Sequence, residues 1–126
     1  MASPNRLTRT ADLTLVRREG KRVRTALLEV RVLASLLHVD ARPAERRGHR
    51  IGIVVPKHRQ SAVARNRLKR RLRELTRTYW PEAFATMPAR DLALYALPAA
   101  YGATFEALRG DVQRLGTKVA AVTDIA

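Results

Sequence analysis

The densest chemistry in this sequence is cationic. From Arg46 to Arg73 eleven basic side chains follow one another with no Asp or Glu among them. The other 98 positions hold 14 basic and 11 acidic residues, so the net charge of +14 is concentrated in that one segment. A solvated helix face normally interleaves signs at i,i+4 spacing, whereas a run stripped of acids is a surface for polyphosphate. Arg outnumbers Lys by 21 to 4. Guanidinium forks suit phosphate oxygens, but a GC-rich genome also yields Arg- and Ala-rich chains, so the missing acids carry the argument.

Residues for bond-breaking chemistry are not gathered by spacing. The absence of cysteine excludes a disulfide scaffold, a Cys zinc site and a thiol nucleophile. His38, His49 and His58 stand singly, without a second ligand at metal-binding spacing, and read as ordinary surface residues. Asp12, Glu19, Glu29, Asp40, Glu45 and Asp91 would have to converge to support two-metal phosphodiester cleavage. No D-x-D, H-E-x-x-H or Gly-rich phosphate loop is present. No metal site is therefore assigned. The six aromatics, Tyr79 to Phe105, all lie outside the two early strands. Binding is accordingly expected mainly through phosphate contacts rather than stacking on a sheet.

These side chains need elements to hold them. With 126 residues, 46% hydrophobic and 29% charged, the chain reads as a single soluble domain, residues 1–126, without a membrane-spanning segment and with a cytoplasmic location. Thr10 is expected to cap a short helix to about Arg18, stopped by Gly20. Leu27 to Ala34 alternates as a strand, with Leu28, Val30 and Val32 on one side and Glu29, Arg31 and Leu33 on the other. Asp40 to His49 reads as a loop, and Ile51 to Val55 as a second strand.

Ser61 opens a helix expected to end near Tyr79, before Pro81. Its one narrow apolar stripe is Ala64, Leu68, Leu72, Leu75 and Tyr79. Arg65, Lys69 and Arg73 lie along one flank at i, i+4, i+8, with Asn66, Arg70 and Arg77 at the back. Asp91 to Leu97 is a third strand. Thr104 caps a last helix with Phe105, Leu108, Val112, Leu115 and Val119 on its inner face, while Gly110 and Gly116 make that helix dependent on docking. The order predicts an α+β sandwich. A basic helix between strands does not fit a helix-turn-helix, so no DNA partner is expected.

The stretch from Lys57 through Ser61 and Arg65-Asn66-Arg67-Leu68-Lys69-Arg70-Arg71-Leu72-Arg73 resembles the signature of the protein subunit of bacterial ribonuclease P, R-N-R-x-K-R-x-x-R on a helix after a strand end. Asn5-Arg6-Leu7 through Asp12, Val16 and Gly20-Lys21-Arg22-Val23 resembles that family's amino-terminal segment. The resemblance implies an α-β-β-β-α-β-α fold with a small mixed sheet and a left-handed βαβ crossover, an exception to the right-handed rule. It also implies an accessory subunit with no catalytic residues of its own. The partners would be a catalytic RNA and precursor tRNA, whose 5′ leader is removed. No cofactor would be bound by the protein alone, and Mg2+ would be held in the RNA active site.

Residue by residue, the resemblance assigns Lys57, Arg65, Asn66, Arg67, Lys69, Arg70 and Arg73 to contact with the catalytic RNA. A cleft between the first helix and the sheet would hold the leader. There the chain departs from the family pattern: Leu13 and Arg17 stand where Phe is frequent, and Arg31 where Tyr is frequent. With Leu13, Arg17 and Arg31 in the leader cleft, charge pairing of the two arginines to leader phosphates is expected to replace stacking. Gln60, Pro56 and His58 stand where Gly, Ser and Lys are common. The alternative reading is a non-enzymatic RNA-binding protein, ribosome-associated or chaperone-like.

Overall fold

The computed structural model describes residues 10–34, 49–86 and 90–122. In chain order the elements are α1 (Thr10–Glu19), β1 (Lys21–Arg24), β2 (Leu28–Ala34), β3 (Arg50–Val54), α2 (Ala62–Ala83), β4 (Arg90–Ala96), a 3-10 segment (Pro98–Gly102) and α3 (Phe105–Ala120). One mixed sheet has the order β1-β2-β4-β3. The β1–β2 and β2–β4 pairs are antiparallel, and β3–β4 is parallel with α2 as the crossover. This is the expected α+β order. The composite of turns and charges read at 40–48, together with His38 and the amino-terminal Asn5-Arg6-Leu7, lies outside the described residues.

Strand alternation decides which helix covers which face. Leu28, Val30 and Val32 of β2 and Leu92, Leu94 and Ala96 of β4 are buried against α2 and α3, which supply Leu68, Leu72, Leu75, Leu108, Val112 and Leu115. The opposite face meets α1, where buried Val16 packs on Ala93 with Leu13, Leu33 and Tyr95 around it. Glycine is required at Gly20, since a Cβ there would collide with the Val16 carbonyl as the chain turns from α1 into β1.

Two boundaries differ from the sequence reading, and one strand is implied only by the family resemblance. Thr10 is already helical, so it is the first residue of α1 rather than its cap. The short edge strand β1, three of whose four residues are cationic, has no hydrophobic period to announce it. And α2 runs through Pro81 to Ala83 instead of ending before it. An interior proline costs about 3 kcal/mol. Trp80 and Phe84, one turn apart, are both buried, with ring centroids 5.2 Å apart, and burial of each contributes roughly 1.5–3 kcal/mol. The Phe84 amide still bonds the Trp80 carbonyl at 2.9 Å, and the Trp80 indole N–H donates to the Val112 carbonyl at 3.0 Å. A Cβ at Gly116 would lie 3.0 Å from that indole ring, so this glycine permits α3 to close on α2.

The acids brace the scaffold. Asp91, fully buried, accepts from Arg50 Nε at 2.9 Å and Nη2 at 2.7 Å, joining β4 to β3. Buried Asp111 of α3 accepts from the Thr25 hydroxyl and, at 3.2 Å, from the Leu27 amide, and so holds the β1–β2 turn. His49 is not an ordinary surface residue. Half-buried, it accepts the Arg90 amide at Nδ1, 3.2 Å away, while Nε2 donates to the Phe84 carbonyl at 3.2 Å. Burial, partly countered by the Phe84 bond and reinforced by the Arg90 charge, lowers its pKa. A lowered folded value stabilises the fold above the ordinary value of about 6.5, and this stabilisation is lost as pH falls. Melting temperature should therefore drop between pH 7.5 and 5 less steeply in His49→Gln than in the wild type. Parallel pH profiles would refute this role.

Candidate nucleic-acid interface

Ser61 caps α2, its hydroxyl accepting the Ala64 amide at 3.1 Å. From there the helix presents two kinds of surface. Leu68, Leu72, Leu75, Thr76 and Trp80 are buried; Tyr79 and Ala64, expected in the apolar stripe, lie at its margins. Thr76 satisfies its buried hydroxyl at the Arg73 carbonyl, 3.1 Å away. Asn66, Arg67, Arg70 and Arg73 are exposed, and Arg65 and Lys69 form a half-buried shoulder. The predicted row Arg65, Lys69, Arg73 thus climbs from the flank to the open face. No acid lies in the first turn, so the positive end of the helix dipole adds to the cations.

The turn leading into α2 is strained. His58 and Arg59 have φ of 45° and 65°, a left-handed conformation costing roughly 1–2 kcal/mol per non-Gly residue. The Gln60 amide closes the turn on the Lys57 carbonyl at 2.7 Å. Tyr101, from the 3-10 segment, donates its hydroxyl to the Pro56 carbonyl at 2.6 Å, and its ring meets His58 edge-on at 6.2 Å. Lys57 and Arg59 are consequently held exposed at the mouth of the helix.

Beside this turn opens a cleft of about 410 Å³ on the α1 side of the sheet, lined among others by Arg17, Glu29, Arg31, Tyr95, Pro56 and His58. The structure brings Arg17 and Arg31 together, while Leu13 packs near Val16 and Tyr95 and does not line the cavity. Arg31 is engaged rather than free: its Nε reaches Glu29 at 3.3 Å and its Nη1 donates to the Arg17 carbonyl at 2.8 Å. It ties α1 to the sheet and leaves the exposed Arg17 as the available cation.

Tyr95, which the sequence reading did not single out, is the aromatic of the cleft. Burial raises its pKa, against the pull of Arg17 and Arg31, with Glu29 adding to the rise. Its signal was available in β4, because inward Leu92, Leu94 and Ala96 leave Ala93 and Tyr95 on the face of Glu29 and Arg31. Among the described residues no group of three or more His, Asp or Glu is placed to hold a metal ion.

A basic helix, a strained basic turn and a cleft converge at one corner, in a topology that has relatives. The ribonuclease P family model matches residues 1–120. The chain belongs to the ribonuclease P protein family. The ribonuclease P protein component of Acidothermus cellulolyticus is 34% identical over 116 residues, covering 91% of this chain and 88% of its own. That of Gluconacetobacter diazotrophicus is 37% identical over 110 residues, covering 87% and 86%. In fold, the chain resembles the RNase P protein of Staphylococcus aureus, with TM-score 0.73 at 24% identity over 94% of this chain and 96% of that one. It also resembles the RNase P protein of Thermotoga maritima, with TM-score 0.70 at 22% identity over 90% and 96%. As a ribonuclease P protein, the chain is the accessory subunit that assists a catalytic RNA in cleaving the 5′ leader from precursor tRNA.

The positive φ at Arg59 separates stability from function. Arg59→Gly should raise unfolding free energy by about 1 kcal/mol, because glycine adopts that conformation without the Cβ penalty. Chemical denaturation checks this, and a loss of stability would show that the Arg59 side chain itself holds the turn.

Proposed function

We propose that the protein divides its work between two adjoining surfaces. The exposed face of α2, with Asn66, Arg67, Arg70 and Arg73, the shoulder of Arg65 and Lys69, and Lys57 at the turn, docks on the backbone of the catalytic RNA. The cleft beneath α1 holds the single-stranded leader, with Arg17 meeting a phosphate and Tyr95 offering a ring to a base. Arg31 positions α1 and Glu29 rather than meeting the leader first.

The observation that carries this reading is the adjacency of the surfaces: Pro56 and His58 line one end of the cleft, and α2 begins at Ala62. A leader in the cleft is thereby delivered next to the RNA that α2 grips. Cations cover the exposed face of α2, and in this reading the magnesium ions required for hydrolysis are held by the RNA.

Cleavage of a leader-bearing precursor tRNA at low magnesium, with a bacterial ribonuclease P RNA present or absent, tests the reading. Cutting at the mature 5′ end only when RNA and protein are combined supports it; binding without stimulation would favour an RNA-binding protein outside the holoenzyme. Replacing Arg65, Lys69 and Arg73 together with Ala should weaken affinity for the catalytic RNA and lower the slope of log affinity against log salt by roughly 2–3; an unchanged slope would remove α2 from the interface. Arg17→Ala with Tyr95→Ala should lower affinity for leader-bearing precursor roughly tenfold and leave assembly with the RNA unaltered. Equal losses in both assays would refute the partition.

A further inference from the structure

The strand registers extend the cleft beyond its cavity. On the α1 face, Val54, Tyr95, Glu29 and Arg24 stand side by side across all four strands, and Gly52, Ala93, Arg31 and Arg22 make the neighbouring row. With strands about 4.8 Å apart, the line from Val54 to Arg24 spans about 14 Å. β1 is the outer strand, and both Arg22 and Arg24 are exposed. The acid facing them, Glu29, is shared, lying 3.3 Å from Arg31 and 3.9 Å from Arg22. It cannot neutralise the whole group.

We infer that Arg22 and Arg24 form a further phosphate site, over which the 5′ leader leaves the cleft at the β1 edge of the sheet; the inference rests on the leader reading above. The occupant is single-stranded RNA. The cavity has the volume of a small-molecule pocket, and its floor offers an aromatic ring followed by cations, the combination that holds unpaired strands. Charged edge strands also deter sheet-to-sheet pairing, but either sign would do that. Here Lys21, Arg22 and Arg24 are all cations, and the registers place Arg22 and Arg24 on the cleft face. A strand entering beside His58 crosses Tyr95 and Arg17 and meets these two arginines last.

The test compares precursors with two-nucleotide and ten-nucleotide leaders, binding to the assembled holoenzyme over a range of salt. Arg22→Ala with Arg24→Ala should weaken the long-leader precursor roughly tenfold and lower its salt slope by about 1.4, since each single-strand phosphate contact contributes about 0.7. The short-leader precursor should be unaffected. Arg22→Lys with Arg24→Lys should retain the long-leader affinity, which separates charge from damage to the strand. Equal loss on both leaders, no loss on either, or failure of the lysine pair overturns the inference. Tyr95→Ala separates the two readings: no effect on the long leader removes the cleft reading itself, whereas a Tyr95 effect without an Arg22/Arg24 effect overturns the edge site alone.

Discussion

Everything in this molecule leans on the antiparallel pairing of β2 with β4 at the centre of the sheet. Seven residue pairs, from Leu28↔Ala96 to Ala34↔Arg90, set both strands in one register. That register places Leu28, Val30, Val32, Leu92, Leu94 and Ala96 on the face that buries the core. By the same alternation it places Glu29, Arg31, Ala93 and Tyr95 on the other. A slip of one residue in either strand would turn cleft residues into the core and core residues into water. The hydrophobic effect on one side therefore fixes the position of charged and aromatic groups on the other.

A chain with this much positive charge repels itself, and the few acids are distributed accordingly. Buried Asp91 and Asp111 join β3 to β4 and α3 to the β1–β2 turn. Glu29 organises Arg31 and Arg22. Along α2, Glu74 is engaged with Arg77, one turn beyond the signature residues. The negative charges thus hold the frame while the first turns of α2 are left strongly cationic. Removing such a buried carboxylate would strand its guanidinium or amide partners, a larger loss than any surface pair contributes.

The sequence made the two-sided strands, the capped ends at Ser61 and Thr104 and the polarity of α2 readable, because each follows from local pattern. It also made the exposed cationic residues of α2 readable, since the missing acids and the R-N-R spacing are one-dimensional features. Other parts depended on partners distant in the chain. Helix α2 crosses Pro81 because Trp80 finds Val112 and Gly116 more than thirty residues later. His49 is structural because Phe84 and Arg90 come to meet it. Arg31 lines the cleft, and its bond to the Arg17 carbonyl exists only because α1 lies on the sheet. Tyr95 enters the cleft only when β4 is known to lie between β2 and β3.

The insertion of β4 between β2 and β3 also orders the events of biosynthesis. A chain emerging amino-terminus first exposes β1, β2 and β3 before their central strand exists, and the β1–β2 hairpin alone is marginal in water. Strand β3 has no neighbour in the sheet until residues 90–96 have been made, and the carboxylate that fastens the β1–β2 turn arrives later still, at Asp111. The sheet therefore closes only after β4 and Asp111 have been made, in a step dominated by sequence-distant contacts. Nascent chains shorter than that carry the cationic segment without the surface that gives it shape.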